Sequence, residues 1–243
     1  MPDAYERICA YEMAIGVESW LENLATVTPS DFELRDGVVF RKKATKAARF
    51  FIVGCVTHPS ALCTKSVYNK HSVNVMPSKI GWGRSSGVIH ALLGDVTAYV
   101  FADGLSFSTM PKSNPAKIPS SYSPKKIAAT SPSKPNIPVS GTRKVPVEWS
   151  KYAALPGDKP VPIYDARSLD FDIKNLHQLP AYQGELDAGM VIMVVFTLGR
   201  YSGMEGEKLS LNVQTAVALH DNVPEENRPS ETIIDAKFPL PYN

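Results

Sequence analysis

The sequence has 243 residues, of which 44% are hydrophobic and 21% charged, and its formal net charge is +2. These values exclude a wholly disordered chain and leave enough apolar surface for one large or two small cores. No apolar run approaches the roughly 20 residues of a membrane-spanning helix, and three cysteines are too few and uneven for a disulfide framework. We therefore expect an intracellular protein, cytoplasmic or nuclear, that does not bind membranes.

The amino-terminal residues predict a helix followed by β-strands. Apolar residues of Pro2–Thr26 recur at three- and four-residue spacings, which predicts an amphipathic helix packed on a sheet. Asp36 and Gly37 separate two short apolar segments and predict a hairpin, because glycine accepts a positive φ. The β-branched and aromatic residues of Phe50–Thr57 predict a further strand.

A proline-rich arm interrupts the predicted strands. Val88–Phe101 predicts another strand, and an Asp103–Gly104 turn leads into the alternating residues Leu105–Phe107. Residues 111–138 contain 7 prolines, 6 serines and no glycine, so they can neither continue a sheet nor bury much surface. We interpret residues 111–144 as an extended arm or an inserted loop.

Strand patterns resume after the arm. Val161–Asp165 and Leu169–Ile173 predict short strands, and the nearly continuous apolar run Met190–Leu198 predicts a buried one. Apolar and polar residues alternate in Leu209–Leu219, and the intervening Gly199–Lys208 is rich in turn-forming residues. The two runs therefore predict a long hairpin.

Several β-segments, one helix and a long hairpin predict a mainly β fold. We expect an antiparallel barrel or sandwich, for which an oligonucleotide-binding (OB) barrel is a candidate, with an amino-terminal helix and a long Pro/Ser-rich arm. The predicted organisation is a helix plus basic β region at 1–110, the arm at 111–144 and a β-hairpin region at 145–243. We expect the last region to complete the same domain as the first.

Parts of the last third resemble a pattern in uncharacterised fungal proteins. The segments that carry this resemblance are Val161–Arg167, Phe171–Ile173, Leu179–Glu185 and Leu209–Gln214. They consist of turn and strand residues, and the resemblance implies no activity. At the level of pattern alone, the chain also resembles OB-fold proteins that bind single-stranded nucleic acid.

The small net charge hides a partition into three blocks. Residues 1–36 carry 2 basic and 8 acidic side chains, residues 37–147 carry 16 and 2, and residues 148–243 carry 8 and 14. The formal charges of the blocks are therefore −6, +14 and −6. So basic a middle block predicts a surface for a polyanion, unless its lysines pair with acids of the outer blocks after folding.

The middle block also combines cations with aromatic rings. A single-strand binder needs both, because cations contact phosphates and flat rings stack on bases. The candidate contact residues are Arg41, Lys42, Lys43, Lys46, Arg49, Tyr68, Lys70, Lys79, Trp82 and Arg84. Tyr68 and Trp82 are the expected stacking residues, whereas we expect Phe51 in the core.

The arm contains a short basic motif. Ser123-Pro-Lys-Lys126 resembles the Ser-Pro-Lys-Lys units of histone tails, which present lysines to DNA phosphates. Lys125 and Lys126 are therefore further candidate contacts. An ordinary soluble linker is an equally good interpretation of this segment.

These features predict a non-enzymatic protein that binds single-stranded DNA or RNA with little sequence specificity and forms a homo-oligomer. One alternative is a viral coat or nucleocapsid-type subunit whose arm wraps a neighbour. Another is an esterase-like serine hydrolase, because Gly83-Arg-Ser-Ser-Gly87 matches Gly-x-Ser-x-Gly, where a strand-to-helix turn exposes the nucleophile. The flanking residues favour a flexible basic loop instead.

Metal and cofactor motifs are weak in this sequence. Cys55, His58, Cys63 and His71 are residue types that zinc prefers, but their spacing fits no common zinc motif. The sequence has no phosphate-binding P-loop. We therefore expect neither a metal nor a cofactor.

Overall fold

The computed structural model describes residues 8–12, 14, 21–64, 70–101, 103–109, 155, 159–168, 171–203 and 206–221. The strands are β1 (Glu22–Asn23), β2 (Phe32–Arg35), β3 (Val38–Arg41), β4 (Arg49–Ala61), β5 (Ser72–Pro77), β6 (Val100–Phe101), β7 (Gly104–Ser108), β8 (Ile163–Asp165), β9 (Val191–Gly203) and β10 (Gly206–His220). Helix α1 spans Lys79–Leu93, residues 8–12 are helical, and two 3-10 helices span Pro29–Asp31 and Ile173–Gln178.

Five of the strands pair in a ring. β4 pairs with β5, β5 with β7, β10 with β9 and β9 with β4, all antiparallel, and β10 runs parallel to β7. The β7–β10 contact consists of one residue pair, Ser108 and Asn212, so the ring is a partly open barrel rather than a closed one. This arrangement is typical of the OB fold. The prediction of a mainly β, OB-like fold is confirmed, in a mixed rather than wholly antiparallel sheet.

The smaller strands extend this sheet. β1 lies parallel to β4, β8 lies parallel to β10, and β6 forms a hairpin with β7. The β2–β3 hairpin joins β9 through the pair Val38 and Gly199. Strands that precede and follow the arm therefore share one ten-stranded sheet.

Alternation along the strands separates two apolar clusters. The larger lies on one face of all five ring strands, where the rings of Phe107 and Phe196 meet edge to face with centroids 5.0 Å apart. The smaller contains Phe51 and Met193 on the opposite face and is covered partly by the 3-10 helix Ile173–Gln178. β4 and β9 are therefore buried on both faces, which explains their nearly continuous apolar sequences.

The strand predicted over Val88–Phe101 is wrong for most of its length. Helix α1 occupies the sequence up to Leu93, and only Val100 and Phe101 form a strand. Val88 and Ile89 are β-branched, but the buried side chains of α1 recur at helical spacing and pack on the large core. Tertiary packing thus overrides local β propensity here.

Two further predicted elements are corrected. The helix predicted over Pro2–Thr26 is seen at residues 8–12, but Glu22–Asn23 forms strand β1 and a turn follows it. A 3-10 helix begins at Ile173, where a strand was predicted to end; the carboxylate of Asp172 accepts a hydrogen bond from Lys174 N. Residues 111–144 of the predicted arm lie outside the described residues. None of the helices in the described ranges is long and apolar enough to cross a bilayer.

Candidate nucleic-acid interface

An open cleft lies at the seam of the barrel, where a single residue pair joins β7 to β10. Its volume is about 430 Å³. The cleft, here called the seam cleft, is lined by Lys70, Tyr99, Ser106, Ser108, Tyr201, Leu209, Ser210 and Leu211. In OB folds the second and third strands of the barrel and the two loops beside them form the binding face for oligonucleotides. The seam cleft shares part of this surface: Ser106 and Ser108 lie on β7, the third strand of the ring, Lys70 lies just before β5, and Tyr201 lies near the β9–β10 turn.

Two tyrosines form the rim of the seam cleft. Tyr99 is 59% and Tyr201 is 55% exposed, and they are the two large hydrophobic side chains that are exposed among the described residues. The main chain at Tyr99 is fixed, because its carbonyl accepts a 3.1 Å hydrogen bond from Ser106 N. Tyr201 lies opposite Lys208 in the β9–β10 ladder. Both rings are therefore accessible from solvent while their backbones are held by the sheet.

Lys70 supplies a cation at the same place. Its Nζ lies 5.8 Å from the centre of the Tyr99 ring and 3.4 Å from the Ser108 hydroxyl oxygen. Burial lowers the pKa of Lys70. Because the ammonium group has been partly removed from water and no described residue forms an ion pair with it, an anion that enters the cleft gains a partner that is already oriented.

Serine hydroxyls complete the polar surface of the seam cleft. Ser106 and Ser108 alternate in β7 with the buried Leu105 and Phe107, and so lie on the outer face. Ser210 has the equivalent position in β10, between Leu209 and Leu211. Hydroxyl groups donate and accept hydrogen bonds, so this floor suits phosphate, sugar and base edges alike.

Five of the predicted cations lie together at the turn from β3 to β4. These residues, called the β3–β4 cations, are Arg41, Lys42, Lys43, Lys46 and Arg49, and all five are exposed. Arg41 donates a 2.7 Å hydrogen bond to the carboxylate of Glu22, an acid of the amino-terminal block. Within the described part of the chain the other four make no ion pair. Among the described residues, compensation of these five cations by acids of the outer blocks is thus limited to Arg41.

The β3–β4 cations are not part of the seam cleft. Strand pairing connects Arg49 to Thr197, Thr197 to Asn212, and Asn212 to Ser108, which lines the cleft. These three steps correspond to about 14 Å along the sheet. Thr197 is fully buried, so the polar row between the two areas is interrupted at β9.

The remaining predicted contacts are dispersed. Lys79 and Arg84 are exposed on α1, whereas Trp82 is half-buried and packs on the large core. The Trp82 side chain lines a small cavity together with Glu12. Tyr68, Lys125 and Lys126 lie outside the described residues. Lys70 is therefore the one predicted contact that the structure places in the seam cleft.

Sequence reasoning did not single out Tyr99 or Tyr201. Tyr99 falls within the predicted strand Val88–Phe101, where an aromatic residue is more often core than surface. Tyr201 falls in the turn-rich segment Gly199–Lys208, and its position between Arg200 and Ser202 is the sequence signal for exposure that was available.

The hydrolase and zinc patterns have other structural explanations. Ser85 is buried within helix α1, so it is not on a strand-to-helix turn that would expose a nucleophile. Cys55 is buried, and its thiol lies 3.4 Å from the carbonyl oxygen of Gly189. No group of three or more metal-binding side chains is found within the described ranges.

The comparisons with known proteins find one distant likeness in fold. No protein-family model and no curated protein matches the sequence, so the resemblance to fungal proteins gains no support. Among solved structures, the chain is weakly similar to a single-stranded DNA-binding protein from bacteriophage Enc34. The TM-score is 0.36 and the identity 10%, over 83% of this chain and 96% of that chain. So distant a similarity does not identify any ligand-binding residue of this chain.

Proposed function

We propose that the protein binds single-stranded nucleic acid, DNA or RNA, across the seam cleft. The observation that carries this proposal is the combination of two exposed tyrosine rings with Lys70 at the open seam of an OB-like barrel. Stacking on tyrosine is possible for every base, and Lys70 contacts phosphate, so the binding has little sequence preference.

A preference for single strands follows from the geometry of the site. Tyr99 and Tyr201 offer their rings to flat groups, and the faces of bases are available only when the bases are unstacked. In a duplex the base faces are covered by neighbouring base pairs. The serine floor and Lys70 can contact the backbone of either form, so the tyrosines are the source of discrimination.

The proposal is tested by fluorescence anisotropy with a labelled oligothymidylate and with a hairpin duplex of equal charge. We expect the single strand to bind more tightly and its affinity to fall steeply with salt. Replacing Tyr99 or Tyr201 by Ala is expected to cost about 1–3 kcal/mol of binding free energy for each stacked base that is lost. Tyr99→Phe and Tyr201→Phe are matched controls, because they keep the ring and are expected to bind nearly as the natural protein does.

Several results would contradict the proposal. One is the absence of binding to the labelled strand at low ionic strength. Another is equal affinity for the hairpin duplex. A third is an unchanged affinity in the Tyr99→Ala, Tyr201→Ala double variant, shown to be folded by circular dichroism. Titrations with oligoadenylate and oligodeoxyadenylate, which differ only in the sugar, show whether the ribose matters.

A further inference from the structure

A carboxylate from the distant part of the chain holds the segment that follows β4. The Oε2 atom of Glu185 accepts hydrogen bonds from the Ser60 hydroxyl at 2.5 Å and from Leu62 N at 2.7 Å. Its Oε1 atom accepts bonds from Cys63 N at 2.9 Å, from Thr64 N at 2.7 Å and from the Thr64 hydroxyl at 2.9 Å. One side chain thus makes five hydrogen bonds to a stretch of five residues.

These donors form a cradle for an anion. Three successive backbone N–H groups, those of residues 62–64, converge on one carboxylate, as in the concave anion sites called nests. Partial burial raises the pKa of Glu185, but the hydrogen bonds from Ser60, Thr64 and Leu62 outweigh this effect. The pKa of Glu185 is therefore below its ordinary value. Glu185 is therefore the internal anion of the cradle, and it is charged at neutral pH.

The cradle is connected to the seam cleft through His71. Thr64, which donates to Glu185 from its N–H and its hydroxyl, uses its carbonyl to bind His71 Nδ1 at 3.0 Å. His71 is only 2% exposed, and its Nε2 has no hydrogen-bond partner among the described residues. The backbone of His71 is held by Thr109, whose hydroxyl oxygen accepts from His71 N at 3.0 Å. Lys70, the cation of the seam cleft, immediately precedes His71 in the sequence.

We infer that Glu185 is a positioning residue for the nucleic-acid site, which holds Lys70 against Tyr99 and Ser108 through Thr64 and His71. This inference rests on the proposed function of the seam cleft. Removal of the Glu185 charge is expected to change the affinity in opposite directions under this inference and under a purely electrostatic effect. Removing a negative charge near a polyanion site should strengthen binding if charge alone acted. Loss of the Lys70 position weakens binding instead.

The test uses Glu185→Gln, which is nearly isosteric but loses the charge. We expect the affinity for the labelled oligothymidylate to fall by about fivefold at 0.1 M salt, with a salt slope smaller by about 0.7, the values for one lost phosphate contact. Lys70→Ala is expected to give the same change, and adding Glu185→Gln to it is expected to give no further loss. Unchanged or tighter binding by a folded Glu185→Gln variant would overturn the inference, as would fully additive losses.

A second measurement is independent of nucleic acid. The pKa of Lys70 is followed by NMR after isotopic methylation of the lysines, with the signal of the exposed Lys174 in the 3-10 helix Ile173–Gln178 as reference. In Glu185→Gln we expect the pKa of Lys70 to rise, because the ammonium group leaves its partly buried position. Loss of a nearby carboxylate acting through charge alone would lower it, and that result contradicts the inference.

These two measurements separate the failure of the inference from the failure of the proposed function. If the natural protein does not bind the oligonucleotide, the proposed function fails, and the NMR result still decides whether Glu185 positions Lys70. If the natural protein binds the oligonucleotide, and Glu185→Gln changes neither the affinity nor the pKa of Lys70, only the inference fails. Thr64→Val removes the hydroxyl bond to Glu185 and keeps the three N–H donors. It is expected to change both measurements in the same direction by less, which covers the case in which Glu185→Gln does not fold.

Discussion

Gly37 and Gly199 approach each other so closely that neither position has room for a side chain. A Cβ atom on Gly199 would lie 2.4 Å from the carbonyl oxygen of Gly37, and that oxygen accepts a 2.7 Å hydrogen bond from Arg200 N. The contact joins the β2–β3 turn to β9. We expect Gly199→Ala to lower the free energy of unfolding by about 1–3 kcal/mol, because the backbone has to shift to admit the methyl group.

Gly83 provides the matched control for this prediction. It lies in helix α1, and a Cβ built there meets nothing within 4 Å. Gly83→Ala is expected to raise the free energy of unfolding by about 0.5–1 kcal/mol, since alanine loses less backbone entropy in a helix. Urea unfolding of both variants decides the matter. Equal stability of Gly199→Ala and the natural protein would show that the β2–β3 turn and β9 separate easily.

Glu12 is expected to make the free energy of unfolding depend on pH at values where an ordinary carboxyl group is already ionised. Burial raises the pKa of Glu12, opposed by a hydrogen bond from Ser78, and within the described ranges the Oε2 atom has no hydrogen-bond partner. The folded state therefore prefers the neutral acid. That preference contributes its full stability below about pH 4.5, the ordinary value of the free group, and loses it as the pH rises through the raised pKa.

The measurement is urea unfolding at pH 5.5 and pH 8 for the natural protein and for Glu12→Gln. Glutamine cannot ionise, so we expect the advantage of the variant to be larger at pH 8 than at pH 5.5. Burial also raises the pKa of Glu22, against the influence of Arg41, so Glu22→Gln is compared in parallel. A constant difference between Glu12→Gln and the natural protein at both pH values would contradict the assignment to Glu12.

The fold could be predicted where local chemistry decided the backbone. Asp36 and Gly37 adopt φ values of 49° and 79°, which are the values that the Asp-Gly pair favours. The β9–β10 hairpin was predictable from apolar alternation. Helix α1 was not, because it contains Gly81, Gly83 and Gly87, and only packing on the large core reveals its apolar face.

The candidate site was less predictable than the fold. Charge counting indicated a basic middle block, and Lys70 belongs to it. The seam cleft, however, combines residues from β7, β9 and β10 with the chain before β6, and their proximity depends on one parallel bridge. Whether Tyr99 or Trp82 is the exposed ring is decided by packing against the core. Sequence spacing contains little information about such packing.

Asn23 is expected to be one of the most sensitive polar residues outside the seam cleft. Its Nδ2 donates 2.8 Å hydrogen bonds to the carbonyls of Glu12 and Ala14, and its Oδ1 accepts from Ala25 N at 2.9 Å. The side chain is almost fully buried. In Asn23→Ala these backbone groups lose their partner, at a cost of about 1–3 kcal/mol for each group left buried and unpaired.

Chemical denaturation of Asn23→Ala checks this expectation against Asn175→Ala. Asn175 is half-buried, and its side chain has one long hydrogen bond, 3.5 Å from Gln178. We expect the control to differ from the natural protein by about 0.5 kcal/mol or less. Similar losses for the two variants would mean that water replaces the Asn23 amide without cost.

The β3–β4 cations are expected to extend the contact with nucleic acid beyond the seam cleft. Lys42, Lys43 and Lys46 are exposed and make no ion pair within the described ranges. Replacing all three by Ala should lower affinity evenly across base sequences, and should reduce the salt slope by up to about 2, at 0.7 for each lost phosphate contact on a single strand. Anisotropy titrations at four salt concentrations measure that slope.

Lys159→Ala combined with Lys174→Ala is the control, since both lysines are exposed and neither belongs to the β3–β4 cations. A long oligonucleotide should show the effect more strongly than one that only fills the seam cleft, because the two areas are about 14 Å apart along the sheet. If the triple variant and the control lose the same affinity for each charge removed, general electrostatic attraction explains the contribution of these lysines, and the strand does not pass over the β3–β4 turn.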